Sequence, residues 1–215
     1  MTDRLKKIFS ELGECETFAD VGCDHGYIAK AMIASGKAKK VIISDISAKC
    51  LKKAEELLAD ELADGRAESV VSNGFDKVGD CELALVAGMG GEEIVSILSS
   101  AKNLPERLVL QPMKNVDKVR CCAVNRGYKI VKDYVFFSSG IYYELLVLQK
   151  GEDFLTDDEI EFGRTNILLC SKAFTDMLKE KITKLEEYER KDGISESVKF
   201  DISQRKKRLK KYVEV

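Results

Sequence analysis

Residues 19–32 read ADVGCDHGYIAKAM: an apolar run ending in Asp20, then Gly22, Cys23, Asp24, the chain's only histidine, His25, and Gly26, before apolar residues resume at helical spacing. A strand-to-helix turn needs one residue that tolerates positive φ and one capping group, whereas this turn carries two glycines and two carboxylates. The surplus marks a strand end that holds a ligand.

Working outward, residues 16–150 alternate short β-rich runs with helical ones: TFADVG, KKVIISD, AESVVSN, CELALVAG and ERLVLQP, with helices between most of them. The continuous apolar runs Val41–Ile43 and Leu83–Val86 suit strands buried on both faces of a parallel sheet. Alternation of this kind predicts an α/β, doubly wound sheet. Two further strands, about Tyr128–Phe137 and Tyr142–Gln149, are separated by a hairpin-length SSG turn, so an antiparallel pair is expected at one edge.

Beyond Lys150 the pattern becomes helical. Thr156 and Glu159 form a capping box, and Ile160, Ile167, Cys170, Phe174, Met177, Ile182 and Leu185 form a stripe of mostly coiled-coil spacing, read here as one long helix. Gly193 interrupts it, and a second helix from about Ser195 carries Val198, Ile202, Leu209 and Tyr212. The pair is expected to fold back as a helical hairpin, which divides the chain into residues 1–150 and 151–215.

Composition narrows the class. With 215 residues, 45% of them hydrophobic, and a formal charge of -2, the chain suits a packed domain with an appendage rather than a disordered or membrane protein. Leu5, Ile8, Phe9 and Leu12 have helical spacing without a signal peptide's apolar run, so a cytoplasmic location is expected. The seven cysteines include no C-x-x-C, and one histidine does not complete a metal site; buried free thiols and no metal are expected.

In an open parallel sheet the ligand lies beyond the carboxyl ends of the strands. Asp45 ends the second strand, where a carboxylate accepts hydrogen bonds from ribose hydroxyls. Ser72, Asn73 and Gly74 end the third, with Asn73 placed for an adenine edge; AGMGG ends the fourth and QP the fifth. A nicotinamide dinucleotide wants a glycine where Asp24 stands, since a carboxylate there repels pyrophosphate. S-adenosylmethionine has no phosphate and carries a sulfonium and an ammonium, so an acidic, glycine-bracketed turn suits it. The glycines would also expose backbone amides to the ligand.

The segments ADVGCDHGYIA, VAGMGGEEI, LVLQP, NRGYKIV, YYELLVL and LTDDEIEFG, with the helical hairpin, closely resemble the bacterial TrmK family, the tRNA (adenine-N1)-methyltransferases acting on adenosine 22. The resemblance spans nearly the whole chain. It implies a class I, Rossmann-like S-adenosylmethionine-dependent methyltransferase fold with a C-terminal coiled-coil hairpin, and tRNA as substrate with neither membrane nor obligate protein partner. Matched by motif, Asp20, Gly22, Cys23, Asp24, His25 and Gly26 form the cofactor loop, Asp45 and Ile46 meet the ribose, and Asn73 and Gly74 flank adenine. Gly88, Met89, Gly90 and Gly91 border the methyl-transfer site, with Ala87 beside them on the cofactor. Tyr27, Gly91, Gln111 and Pro112 face the substrate, and the basic run at Arg205, Lys206 and Lys207 meets RNA phosphate. The chain departs from the family pattern at Cys23, Gly26, Met113 and the Cys121–Cys122 pair.

Methyl transfer to a ring nitrogen needs a lone pair aligned with the methyl group, and no covalent cysteine. The product base is cationic, which makes Asp24 the candidate catalytic carboxylate. AGMGG lacks the prolines and aromatic residue with which exocyclic-amine methyltransferases hold their target. The alternatives are a small-molecule methyltransferase and a noncatalytic adapter that binds RNA or protein through the hairpin.

Overall fold

The computed structural model describes residues 1–191 and 193–213. Among them, seven strands form one sheet: β1 (Cys15–Val21), β2 (Ala38–Asp45), β3 (Ala67–Val71), β4 (Leu83–Met89), β5 (Arg107–Pro112), β6 (Tyr128–Ser138) and β7 (Ile141–Lys150). Their spatial order is β3-β2-β1-β4-β5-β7-β6. The first five run parallel, while β7 lies antiparallel to both β5 and β6, so the expected edge hairpin is present.

Period-2 alternation divides the strand side chains between two cores. Phe18, Val41, Ile43, Leu83, Leu85 and Val109 face one layer. It holds α1 (Asp3–Glu11), α2 (Tyr27–Ala34) and α3 (Ala48–Leu57), with the short α4 (Ala59–Ala63) following in the chain. Ala19, Val21, Ile42, Ala84, Val86, Leu108 and Leu110 face the other, with α5 (Gly91–Ser100) and α6 (Val116–Asn125). Two buried faces explain the continuous apolar runs Val41–Ile43 and Leu83–Val86 in the central strands.

The C-terminal segment departs from the expected single helix. It is broken into α7 (Asp157–Phe162), α8 (Arg164–Leu169) and α9 (Lys172–Glu189), with α10 (Glu196–Lys210) returning against α9. The capping box at Thr156 and Glu159 forms as the spacing predicts. The breaks fall at Gly163, with φ 85°, and Cys170, with φ 42°. A Cβ on Gly163 would stand 2.6 Å from Asp133 Oδ2 and 2.7 Å from Arg120 Nη2, so the chain bends where two buried charged groups press on its backbone. Phe174, Met177 and Ile182 of the expected stripe are buried, joined by Leu209 and Tyr212, and they pack on Phe162 and on Val135 of the sheet. Val198, expected beside Ile202, Leu209 and Tyr212 on the apolar face of the second helix, is exposed.

The segment after Lys150 also finishes the sheet. β6 is an edge strand, and its outward amides find side-chain acceptors: Ile130 N donates to Asp153 Oδ2 (3.0 Å), Asp133 N to Thr165 Oγ1 (3.0 Å) and Val135 N to Asn166 Oδ1 (2.8 Å). A paired edge offers nothing for another strand to bind. Beneath it, Arg120 is wholly buried. Its Nε donates to Asp133 Oδ2 (3.0 Å), its Nη2 to Glu144 Oε2 (2.6 Å) and its Nη1 to the Ile160 and Glu161 carbonyls (3.1 and 3.3 Å).

The cysteine expectation is corrected. All seven thiols are free, but only Cys23 is buried, and the other six are partly exposed. No helix among the described residues is long and apolar enough to cross a membrane.

Removing one member of a buried charge pair leaves the other without a counter-charge in a dry interior. Arg120→Ala should therefore lower the unfolding free energy by about 3–5 kcal/mol in urea titrations, and adding Asp133→Ala should recover part of that loss.

Candidate active site

Beyond the carboxyl ends of β1 to β4 lies a cavity of about 560 Å³, within the range of small-ligand sites. It brings together Asp20, Gly22, Cys23, Asp24, His25 and Tyr27 from the first turn, and Asp45 and Ile46 from the second. Asn73 and Gly74 come from the third, and Ala87, Gly88 and Met89 from the fourth. Gly26, Gly90 and Gly91 lie outside its lining.

The glycines of the first turn act differently from the expectation that they bare amides. Gly22 N and Cys23 N both donate to Ser44 O, at 2.8 and 3.0 Å, so these amides lock β1 to β2 and are not offered to a ligand. Gly22 instead makes room, because a Cβ there would collide with the Met89 side chain reaching over from β4. Gly26, at φ 69°, starts α2; its Cβ would stand 2.9 Å from Ala54 and Leu58, so glycine lets α3 pack close.

Asp20 is buried and accepts a hydrogen bond from the Ala29 amide in the first turn of α2, doing the work of a cap for a helix that lacks one at Gly26. Burial raises its pKa to about 7; the Ala29 amide opposes the shift and Asp45 adds to it. Asp45 accepts from Ser47 N through Oδ1 (2.8 Å), and Oδ2 has no partner among the described residues. At the rim, Asp24 has φ 48° and its Oδ2 lies 2.7 Å from His25 Nδ1. The His25 ring stacks on Tyr27 with centroids 5.5 Å apart and planes 2° from parallel. Tyr27 is 47% exposed, so it presents a flat aromatic face at the mouth.

The fourth and fifth strand ends are tied together. Met113 N donates to Met89 O (2.8 Å) and Gly91 N to Lys114 O (3.0 Å), and a β-bulge at Gly88, with φ 83°, turns Met89 toward the cavity. A Cβ on Gly91 would strike the Lys114 and Asn115 carbonyls, so its role is close backbone approach. Gln111 corrects another expectation. It is fully buried, donates to Pro112 O (2.9 Å) and accepts from Arg4 Nε (2.7 Å), so it braces the wall and does not face substrate.

A methyltransferase-domain family model matches residues 1–146. A putative tRNA methyltransferase of Mycoplasma pneumoniae is 30% identical over 155 residues, covering 69% of this chain and 71% of that one. The chain belongs to the TrmK family of methyltransferases. The Bacillus subtilis tRNA (adenine(22)-N(1))-methyltransferase is 25% identical over 71% of this chain and 66% of its own length. In fold, the chain matches a Streptococcus pneumoniae putative tRNA (m1A22) methyltransferase with a TM-score of 0.92 at 22% identity, over 99% of both chains. It also matches Mycoplasma capricolum TrmK, solved with S-adenosylhomocysteine, with a TM-score of 0.90 at 22% identity, over 100% and 98%.

Methyltransferases of this family take their methyl group from S-adenosylmethionine. The TrmK-type cavity fits it by donor chemistry: carboxylates for its two cationic groups, the unpartnered Asp45 oxygen for a ribose hydroxyl, and Asn73 for adenine. Covalent catalysis through cysteine is not favoured, because burial pushes the Cys23 thiol up and that of Cys81 to about 12, away from the thiolate.

A second cavity, about 880 Å³, lies between the loop after β5, the β6–β7 hairpin and the C-terminal helices. Pro112, Arg205, Lys114, Lys181 and Lys184 line it. The basic run that the sequence treats as a unit is divided here. Lys206 Nζ lies 2.5 Å from Glu189 Oε2, with its side chain 19% exposed, so it holds α10 to α9 and is not offered to phosphate. Lys211, with Tyr212 and Arg208, holds the Asp158 carboxyl down at about 2. Arg205 and Lys207 have no acidic partner among the described residues. Hydrophobic period and motif spacing carried no signal for Arg4, which reaches Gln111 from the first helix, nor for Lys181 and Lys184 on the facing helix.

The folded-state pKa of Asp20 lies above its unfolded value, so its contribution to stability is complete below about pH 4 and is lost as pH rises through about 7. Asp20→Asn should remove that loss. Denaturant midpoints of the variant should gain on the wild type between pH 5 and pH 8.

Proposed function

We propose that this methyltransferase transfers the methyl group of S-adenosylmethionine to N1 of adenosine 22 in tRNA. The observation that carries the proposal is the exposed Tyr27 face, stacked on His25, at the mouth of the cavity in a TrmK-family fold. An extruded adenine stacked there would be held by a sequence-tolerant aromatic surface while its edge turns toward the cavity. The curated relative named for adenine-22 N1 methylation supplies the position and the atom.

When bound, the cofactor supplies an electrophilic methyl group and leaves as the neutral thioether. The chain's residues do the positioning. Tyr27 and His25 orient the base. The Gly88–Gly91 wall, fixed to Lys114 and Met113, sets its depth. Asp24 places a carboxylate at the rim, beside the ring that becomes cationic as N1 is alkylated. Its αL backbone, uncommon for a residue with a side chain, holds the carboxylate in that orientation.

The roles divide near Lys150: residues 1–150 bind cofactor, hold the target base and carry out the transfer, and residues 151–215, joined by Lys114, contact the tRNA backbone. Lys114, Lys181, Lys184 and Arg205 line the adjoining cavity as phosphate contacts, with the exposed Lys207 outside its lining. The division is one of function only, because Asp153, Thr165 and Asn166 complete the sheet edge. Point substitutions are therefore the informative probes, rather than deletion of the hairpin.

The protein, incubated with S-adenosylmethionine and unmodified tRNA transcripts, should produce a reverse-transcription stop at adenosine 22 and N1-methyladenosine by mass. Assayed at saturating S-adenosylmethionine, Asp24→Asn should lower kcat about tenfold or more, a loss beyond any weakening of cofactor binding. Intact cofactor binding without methylation of any tRNA would overturn the substrate assignment. Lys184→Ala combined with Arg205→Ala should weaken tRNA binding and reduce the slope of log affinity against log salt by about 1 to 2, as measured by filter binding.

A further inference from the structure

Four carboxylates line the cavity at the strand ends, those of Asp20, Asp24, Asp45 and Glu93, together with two side chains able to carry positive charge, Arg4 and His25. S-adenosylmethionine brings two cationic groups, the sulfonium and the α-ammonium, and one anion, the α-carboxylate. The acidic set serves the cations. An anion placed among carboxylates with no cation of its own meets net repulsion.

His25 is already engaged, with Nδ1 on Asp24 and its ring on Tyr27 at the exposed rim. Arg4 is placed differently. It is half-buried, its Nε donates to Gln111 Oε1 at 2.7 Å, and its guanidinium carbon lies 5.4 Å from the Tyr143 ring centroid. The backbone of Gly88 approaches so closely that a Cβ there would stand 2.9 Å from Nη2. These contacts fix the plane of the guanidinium, and neither Nη group has an acceptor among the described residues. Burial without a carboxylate partner lowers its pKa, against a smaller opposing effect of Tyr143. The result is a pre-oriented, partly desolvated fork of the kind that recognises a planar anion.

Its position fits the tail of the cofactor. Along the sheet, Asn73 follows β3, Asp45 ends β2, Gly22 follows β1 and Gly88 lies in β4. Adenine at Asn73 and ribose at Asp45 direct the amino-acid portion toward β1 and β4, where Arg4 stands. We infer that the Arg4 guanidinium receives the α-carboxylate of S-adenosylmethionine, which makes α1 part of the cofactor site. The helix is suited to hold it: Ile8 and Leu12 are buried in the main core, and Lys37 donates to the Phe9 and Leu12 carbonyls at 3.1 and 2.6 Å.

Calorimetric titration of the full chain with S-adenosylmethionine and with decarboxylated S-adenosylmethionine tests the assignment, since the second ligand keeps both cationic groups and lacks only the carboxylate. The wild type should bind S-adenosylmethionine about ten- to a hundredfold more tightly than the decarboxylated form. Arg4→Gln should lose that factor for S-adenosylmethionine while binding the decarboxylated ligand within about twofold of wild type, and Arg4→Lys should recover part of it. A wild type that does not discriminate between the ligands, or an Arg4→Gln variant that weakens both equally or still discriminates, would overturn the inference. The wild-type comparison needs no variant, so a folding defect in Arg4→Gln leaves the test standing. The inference rests on the cofactor and not on the RNA site: cofactor binding without discrimination refutes Arg4 alone, whereas failed tRNA methylation refutes only the substrate.

Discussion

Arg120 holds a full positive charge where no solvent reaches it, and the acceptors that make this tolerable come from separate segments. Asp133 lies on β6, Glu144 on β7, and the Ile160 and Glu161 carbonyls at the end of α7. An isolated buried guanidinium would be prohibitively costly, so the sheet edge and the C-terminal helices have one arrangement in which all these partners converge. Asp133 links the network onward by accepting from the Arg164 and Thr165 amides, at 3.1 and 2.8 Å. The helical segment is thereby fixed to the sheet rather than tethered beside it.

That attachment shapes the surface on which RNA is proposed to lie. The second cavity has the loop after β5 on one side and α9 and α10 on the other, with Glu144 of the Arg120 network in its wall. The same loop is hydrogen-bonded to the end of β4, which borders the cofactor cavity. A contiguous set of backbone and side-chain bonds thus spans both cavities. Their relative placement depends on the sheet and its edge rather than on flexible side chains at the rim.

Much of the site was legible along the chain. The apolar runs of strands buried on both faces give way to polar residues at their carboxyl ends, so Asp20, Asp45 and Asn73 stood out and do converge on one cavity. Local sequence was less informative about what each group does there. The amides of Gly22 and Cys23 are taken by Ser44 on a neighbouring strand, and Gln111 is drawn inward by Arg4, a partner 107 residues away. Neither pairing has a periodic or motif-level signature. The basic run shows the same limit: adjacent cations fall on different faces of α10, and Lys206 turns to Glu189 on α9.

By itself, the sequence determined the doubly wound order of strands and helices, the antiparallel edge hairpin, the capped start of α7 and the identity of the strand-end ligand turns. These follow from hydrophobic period, turn chemistry and capping, which act over a few residues. Tertiary structure alone decided that the C-terminal stripe is three helices and not one, because Gly163 must pass against the buried Asp133 and Arg120 side chains. It also brought the first helix into the cofactor cavity and chose which cations remain unpaired. Such outcomes depend on charge and packing between segments distant in sequence, where burial makes each unpaired group expensive and leaves few arrangements that satisfy them all.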